Sequence, residues 1–171
     1  MPPLPETLRE CRALFDDLTP LHGDCGRLCG GACCESVPGE ETGMLLFPGE
    51  EGWYAALPGY RIVDSSLGPV LVCSGRCDRK DRPLSCRLFP LLPVLRESGV
   101  KAAVDRRARA VCPLAGQGLR ALDPAFVQAV RECGRRLSSD PEQRAFLARL
   151  TAQQDDLTAL QLQFSRRKDH V

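Results

Sequence analysis

Four cysteines fall within ten residues in the stretch Cys25-Gly-Arg-Leu-Cys29-Gly-Gly-Ala-Cys33-Cys34. No other feature limits the possible folds of this chain so tightly. Cys73-Ser-Gly-Arg-Cys77 follows, then Cys86, then Cys112 ahead of Pro113. These eight of the ten cysteines lie in an irregular middle, residues 20–118, among many of the 15 glycines and 14 prolines. The other two, Cys11 and Cys133, sit on apolar stripes with helical spacing. There a thiol acts as a small buried hydrophobe. In the middle the glycines beside the cysteines, Gly26, Gly30, Gly31 and Gly75, let the backbone turn tightly and bring several sulfurs together.

The redox setting decides what such thiols do. Met1 to Glu10 has no basic stretch leading into an apolar run, so no secretory leader is expected. No segment reaches the roughly 20 apolar residues of a membrane span. The expected compartment is the cytoplasm, where thiols stay reduced and clustered cysteines bind metal more often than they form disulfides. Zn²⁺ takes four ligands in a tetrahedron, and thiolates two to four residues apart reach it from one turn. An iron–sulfur cluster such as 4Fe-4S also takes four thiolates, often from one run plus a distant cysteine. Both cofactors remain open on the residues alone. Eight thiols suit two four-sulfur sites, or one site with four thiols left over. The adjacent pair Cys33-Cys34 cannot give both sulfurs to one tetrahedral ion without strain, so one of the two faces a different site or role.

The net charge of +1 sets up no overall field towards nucleic acid or an acidic membrane, and neither is expected as a partner. The 171 residues suggest a single domain whose core needs no disulfides. The expected class is α+β. Its irregular Cys-rich middle, residues 20–115 with short β-hairpins, is framed by an N-terminal helix and a C-terminal helical hairpin over 120–165. The first helix is expected from Pro5 to Leu18, with Leu4, Leu8, Cys11, Leu14, Phe15 and Leu18 on one face, ended by Thr19-Pro20. The second is expected from Pro124 to Leu137, capped by Asp123, with Phe126, Val130, Cys133 and Leu137 inward. The third is expected from Pro141 to Phe164, capped by Asp140, with Gln143 completing a capping box. Its stripe is Phe146, Leu147, Leu150, Leu157, Leu160 and Phe164, and Ser138-Ser139 joins it to the second. Arg166-Arg167-Lys168 is expected to fray. Short strands are expected at Tyr60–Val63, Pro69–Cys73, Val94–Arg96 and Val100–Val104. A short helix over Pro48–Leu57 is expected to bury Trp53.

Several side chains near the cysteines invite a role. Arg82 and Arg87 flank Cys86, where they can balance thiolate charge, grip an anion, or bond loop carbonyls. Phe89 and its neighbouring prolines suit a dry wall beside a metal. Arg106, Arg107 and Arg109 form a basic run without interleaved aromatics, which reads as a solvated face. Glu35, Glu40, Glu41, Glu50 and Glu51 lie near the first cluster, and nothing in the sequence singles one out. His22, three before Cys25, is a possible extra ligand, and His170 reads as idle. No Ser-His-Asp set, phosphate loop or zincin motif is present, and whether the chain is an enzyme stays open.

The two boxes Cys25–Cys34, ending Gly-Gly-Ala-Cys-Cys, and Arg82-Pro83-Leu84-Ser85-Cys86-Arg87-Leu88-Phe89-Pro90 resemble the cysteine-cluster (YkgJ-type) family, described as zinc- or iron-chelating. The Cys73/Cys77 pair and Cys112-Pro113 follow the same order. The resemblance covers roughly residues 20–115. Cys25 and Cys29 are three residues apart where many members have two, and Cys73 and Cys77 are closer than usual. The resemblance implies that Cys25, Cys29, Cys33, Cys34, Cys73, Cys77, Cys86 and Cys112 are metal ligands. A larger relative, the flagellin lysine N-methylase, is similar only through its cysteine domain. This chain carries no glycine fingerprint for a methyl donor. Three functions follow as expectations: a metal-binding protein of structural or storage type, an iron–sulfur enzyme or electron carrier, and a side-chain methylase-like enzyme.

Overall fold

The computed structural model describes residues 2–35, 43–73, 75 and 77–168, with the backbone alone for 166–168. The architecture is α+β, with helices at both ends and two small antiparallel sheets between them. Glu40, Glu41 and His170 lie outside the described residues.

Helix α1 spans Glu6–Ala13 and buries Leu8, Cys11 and Arg12. It stops short of the expected Leu18. The Phe15 N–H turns back to the carbonyl of Arg12, three residues away, instead of continuing the four-residue ladder. The freed carbonyls are claimed from elsewhere. Arg87 donates to Arg12 O, and Arg79 donates to the carbonyls of Phe15 and Leu18. Tertiary arginines thus end the helix before Pro20 does.

The first sheet has order β1-β3-β2, with β1 at Gly43–Leu45, β2 at Tyr60–Asp64 and β3 at Pro69–Cys73. Tyr60 stands opposite Cys73, and Met44 opposite Leu71. Its own small core is Leu46, Tyr54 and Leu71, with Trp53, Leu57, Tyr60 and Ile62 against it. Between β1 and β2 lies a one-turn helix, α3, at Glu51–Ala55. Tyr54 is the residue it buries fully, while Trp53 is only partly covered. Helix α2 (Gly26–Cys29) precedes this sheet and α4 (Leu84–Leu88) follows it. Neither is periodic enough to be expected from sequence.

The second sheet is a hairpin of β4, Leu91–Arg96, and β5, Gly99–Val104. Strand β4 starts three residues before the expected Val94. Pro93, opposite Ala102, is tolerated because each strand of a two-stranded ladder has an outer edge that needs no N–H. Helices α5, Pro124–Ser139, and α6, Pro141–Lys168, pack on each other and on this hairpin. Asp123 accepts from the Ala125 N–H at 2.8 Å, and Asp140 accepts from Glu142 and Gln143 N–H at 3.0 and 3.1 Å. Only Asp140 joins the two helices, because α5 runs on through Ser138 and Ser139. Gln143 does not complete a capping box. Its amide instead donates to Pro48 O at 2.7 Å.

Phe126, Val130, Cys133 and Leu137 are all fully buried in the main core, with Phe15 edge-on to Phe126. Phe146, Leu147 and Leu150 join it, but Leu160 and Phe164 of the expected stripe are exposed. The helical backbone of α6 continues past Phe164 to Lys168. Gly134 lets α5 approach the hairpin closely, since a Cβ there would sit 2.5 Å from Pro93 Cβ and from Val100 Cγ1.

Candidate metal centre

Each cysteine of the middle is set by a different local device. Cys25 precedes α2 and Cys29 ends it, so the pair lies one helical turn apart on one face. Asp24 ties this turn by accepting from the Gly26 N–H at 3.0 Å. Gly30 and Gly31 then take left-handed φ values of 66° and 80°, conformations L side chains resist, and swing the chain into a 3₁₀ turn at Ala32–Cys34. Cys73 ends β3. Cys86 sits inside α4, and the Cys112 N–H bonds Ala108 O at 2.8 Å between two 3₁₀ turns.

These segments come together beside α1. One cavity is lined by Cys25, Cys29, Cys33, Cys86 and Cys112, with Phe89 and Pro90 in its wall and Arg82 at its edge. The Cys33 and Cys34 sulfurs are 4.0 Å apart, and Cys34 is not among the cavity's lining residues. Gly75 lies so close to Cys34 that a Cβ on it would sit 2.7 Å from the Cys34 carbonyl oxygen. Arg82 stands close enough to the Cys77, Cys34 and Cys86 thiols for their charges to act on it. None of the ten cysteines forms a disulfide. Among the described residues, no three His, Cys, Asp or Glu side chains stand in an arrangement that would hold a metal ion unaltered.

The electrostatics follow from crowding thiols in a half-dry place. Burial pushes the Cys25 thiol up, aided by Asp24, Cys112 and Cys29. Burial also raises Cys77, against the pull of the Arg82 hydrogen bond and charge. It raises Cys86 strongly, with Cys77, Cys34 and Cys73 adding to the effect. Cys34 is the exception, held below the ordinary thiol range by the Cys33 thiol and, against the cost of burial, by Arg82. The raised thiols stay protonated until a cation compensates them, which is the usual coupling between metal binding and proton release. The donor set is soft and all-sulfur, which suits zinc and iron–sulfur groups. The Nε of Arg82 is buried without a hydrogen-bond acceptor.

The two arginines flanking Cys86 therefore part company. Arg82 faces sulfur. Arg87 is structural, donating to the carbonyls of Arg12, Arg79, Lys80 and Arg82 and to Asp16 at 2.8 Å. In the basic run, Arg106 bonds Thr158 and Gln161, and Arg107 pairs with Asp105. His22 is fully exposed and pairs with Asp123 at 3.0 Å. Cys11 and Cys133 are both fully buried in the main core, where the Cys11 thiol donates to Cys133 O at 3.6 Å.

Nothing in the sequence sets Glu50 apart from the other glutamates near the first cluster, yet it is fully buried beside the site. Its carboxylate accepts from Phe47 N–H at 3.0 Å and Leu84 N–H at 2.9 Å and lies 3.5 Å from Arg12. Arg12 also donates to the Lys80 carbonyl at 2.8 Å. The pair thus anchors both ends of the loop between Cys77 and Cys86. A glutamate next to another glutamate in a loop carries no mark of burial, so only contacts from distant segments reveal it.

No protein-family model, curated protein or solved structure matches this chain.

Proposed function

We propose that this protein binds zinc or an iron–sulfur cluster through the cysteines of its irregular middle. One observation carries the reading: cysteines from three separate segments, Cys25, Cys29 and Cys33 from the first, then Cys86 and Cys112, line one cavity that Arg82 also lines. A core explanation does not account for most of them, since only Cys25 and Cys112 pack against the main core and none of the eight is fully buried. The glycine turns at Gly30–Gly31 and Gly75 give the loops freedom to close on a bound group, and Arg82 offsets part of the thiolate charge. When bound, the group would join the loops to each other and supply either a rigid staple or a redox centre.

The test is elemental analysis with an absorbance spectrum on the full chain purified without oxygen. Stoichiometric zinc in a colourless protein, or iron with broad absorbance near ~400 nm from thiolate-to-iron charge transfer, is the expected result. Cys11→Ala and Cys133→Ala should keep the full metal content. Neither metal above trace level, before and after anaerobic reconstitution, would sink the reading.

A further inference from the structure

Beyond binding metal, we infer that the last turns of α6 are an interface with a second copy of this chain, two α6 helices packing antiparallel along Leu157, Leu160 and Phe164.

The stripe begins inside the molecule. Phe146, Leu150, Gln153, Leu157, Leu160 and Phe164 follow one another at alternating steps of four and three residues. That alternation is the repeat by which two helices interlock side chains along one face. Its first members, Phe146 and Leu150, are buried in this chain's own core. Leu157 is half-buried, and Leu160 and Phe164 are 49% and 63% exposed. The core gives out while the helix goes on. Arg106 ties it to the body at Thr158 and Gln161, and the helical backbone runs on to Lys168. A face with core spacing and no core of its own is one that a partner covers.

Charge selects the partner. Asp155-Asp156 stand where the bare turns begin, and Arg166-Arg167-Lys168 where they end. The segment thus carries its own complement. Set antiparallel about Leu160, two copies bring Leu157 of one near Phe164 of the other. The acidic end of each then lies beside the basic end of its partner, and the helix dipoles oppose. A parallel pair would set like charges together. The antiparallel pair uses the same patch on both chains, so it closes at two copies. A few turns of one helix supply fewer residues than the roughly 20–30 a side of a stable interface, so the dimer is weak and forms as concentration rises.

The closing experiment is sedimentation velocity on the full chain, purified without oxygen and kept reduced, over a wide range of concentrations. The mass should rise from 18.7 kDa towards twice that value. Leu160→Glu/Phe164→Glu changes two exposed positions and should hold the mass of one chain throughout, with an unchanged thermal midpoint. Arg166→Glu/Arg167→Glu should move the dimerisation midpoint to higher concentration, because acidic ends then meet acidic ends. In a parallel pair the same change would leave the midpoint in place. In the wild type, dilution should speed amide exchange over 157–165 and leave 124–154 as it was, a readout that needs no variant. One chain at every concentration overturns the inference and leaves the stripe to a different protein or to solvent. A dimer that survives Leu160→Glu/Phe164→Glu overturns it too. Growth beyond two copies, or a midpoint that Arg166→Glu/Arg167→Glu does not move, overturns the antiparallel pairing.

Discussion

At the scale of single residues, Glu50 ties the site to the frame, and it does so at an electrostatic cost. Its carboxyl is fully buried, and desolvation pushes it up to about 7 despite the Phe47 and Leu84 amides and Arg12; Glu51 adds to the rise, and Tyr54 and Cys86 also face it. A carboxyl raised from 4.5 in the unfolded chain binds its proton more tightly when folded. Its contribution is complete below 4.5 and lost as pH climbs through about 7. The difference in unfolding free energy between wild type and Glu50→Gln should therefore shift against the wild type by up to about 3 kcal/mol between pH 5 and 8. Urea denaturation of both proteins across that range measures it, and a constant difference would refute the account. Neither Glu50 nor the inward turn of Arg12 was legible in the sequence. Burial of a charge depends on which distant carbonyls and amides arrive to meet it.

At the scale of elements, the C-terminal helices were read well. Their caps, Asp123 and Asp140, and their apolar spacing are local properties that survive packing. Local spacing misjudged the ends that depend on partners. Helix α1 stops at Ala13, with Arg87 on the carbonyl of Arg12 and Arg79 on those of Phe15 and Leu18 beyond it, and the stripe of α6 runs on past a half-buried Leu157 to the exposed Leu160 and Phe164. Gly134 shows the reverse case. Glycine inside a helix usually costs stability, and Ala would gain about 1 kcal/mol of helix propensity. Here the added Cβ would strike Pro93 and Val100. Gly134→Ala should instead destabilise the protein by about 1–2 kcal/mol net of that gain, read from its urea midpoint. A stabilised variant would mean that α5 can move away from the β4–β5 hairpin at little cost.

At the scale of the whole molecule, the cysteine-rich middle divides into parts with different support. Residues 91–104 pack into the main core with α5 and α6, and the first sheet keeps a small core around Tyr54. The loop 25–35 buries no residue fully, and 77–86 is held by hydrogen bonds of Arg79, Arg87 and Glu50 around the buried Leu84. A chelator should therefore lower the thermal midpoint and speed amide exchange in those two loops, while 91–104 and 124–154 keep their protection. Exchange measured by mass spectrometry with and without metal decides this, and uniform loss across all four regions would contradict it. From its sequence alone, the chain determined which cysteines belong to a core and which do not, along with the capped helices and most strand positions, because spacing and capping act within a few residues. Only the tertiary structure decided that Arg82 lies among the thiols while Arg87 holds backbone carbonyls, and that Glu50 is buried. Those outcomes depend on segments far apart in the chain meeting at one place.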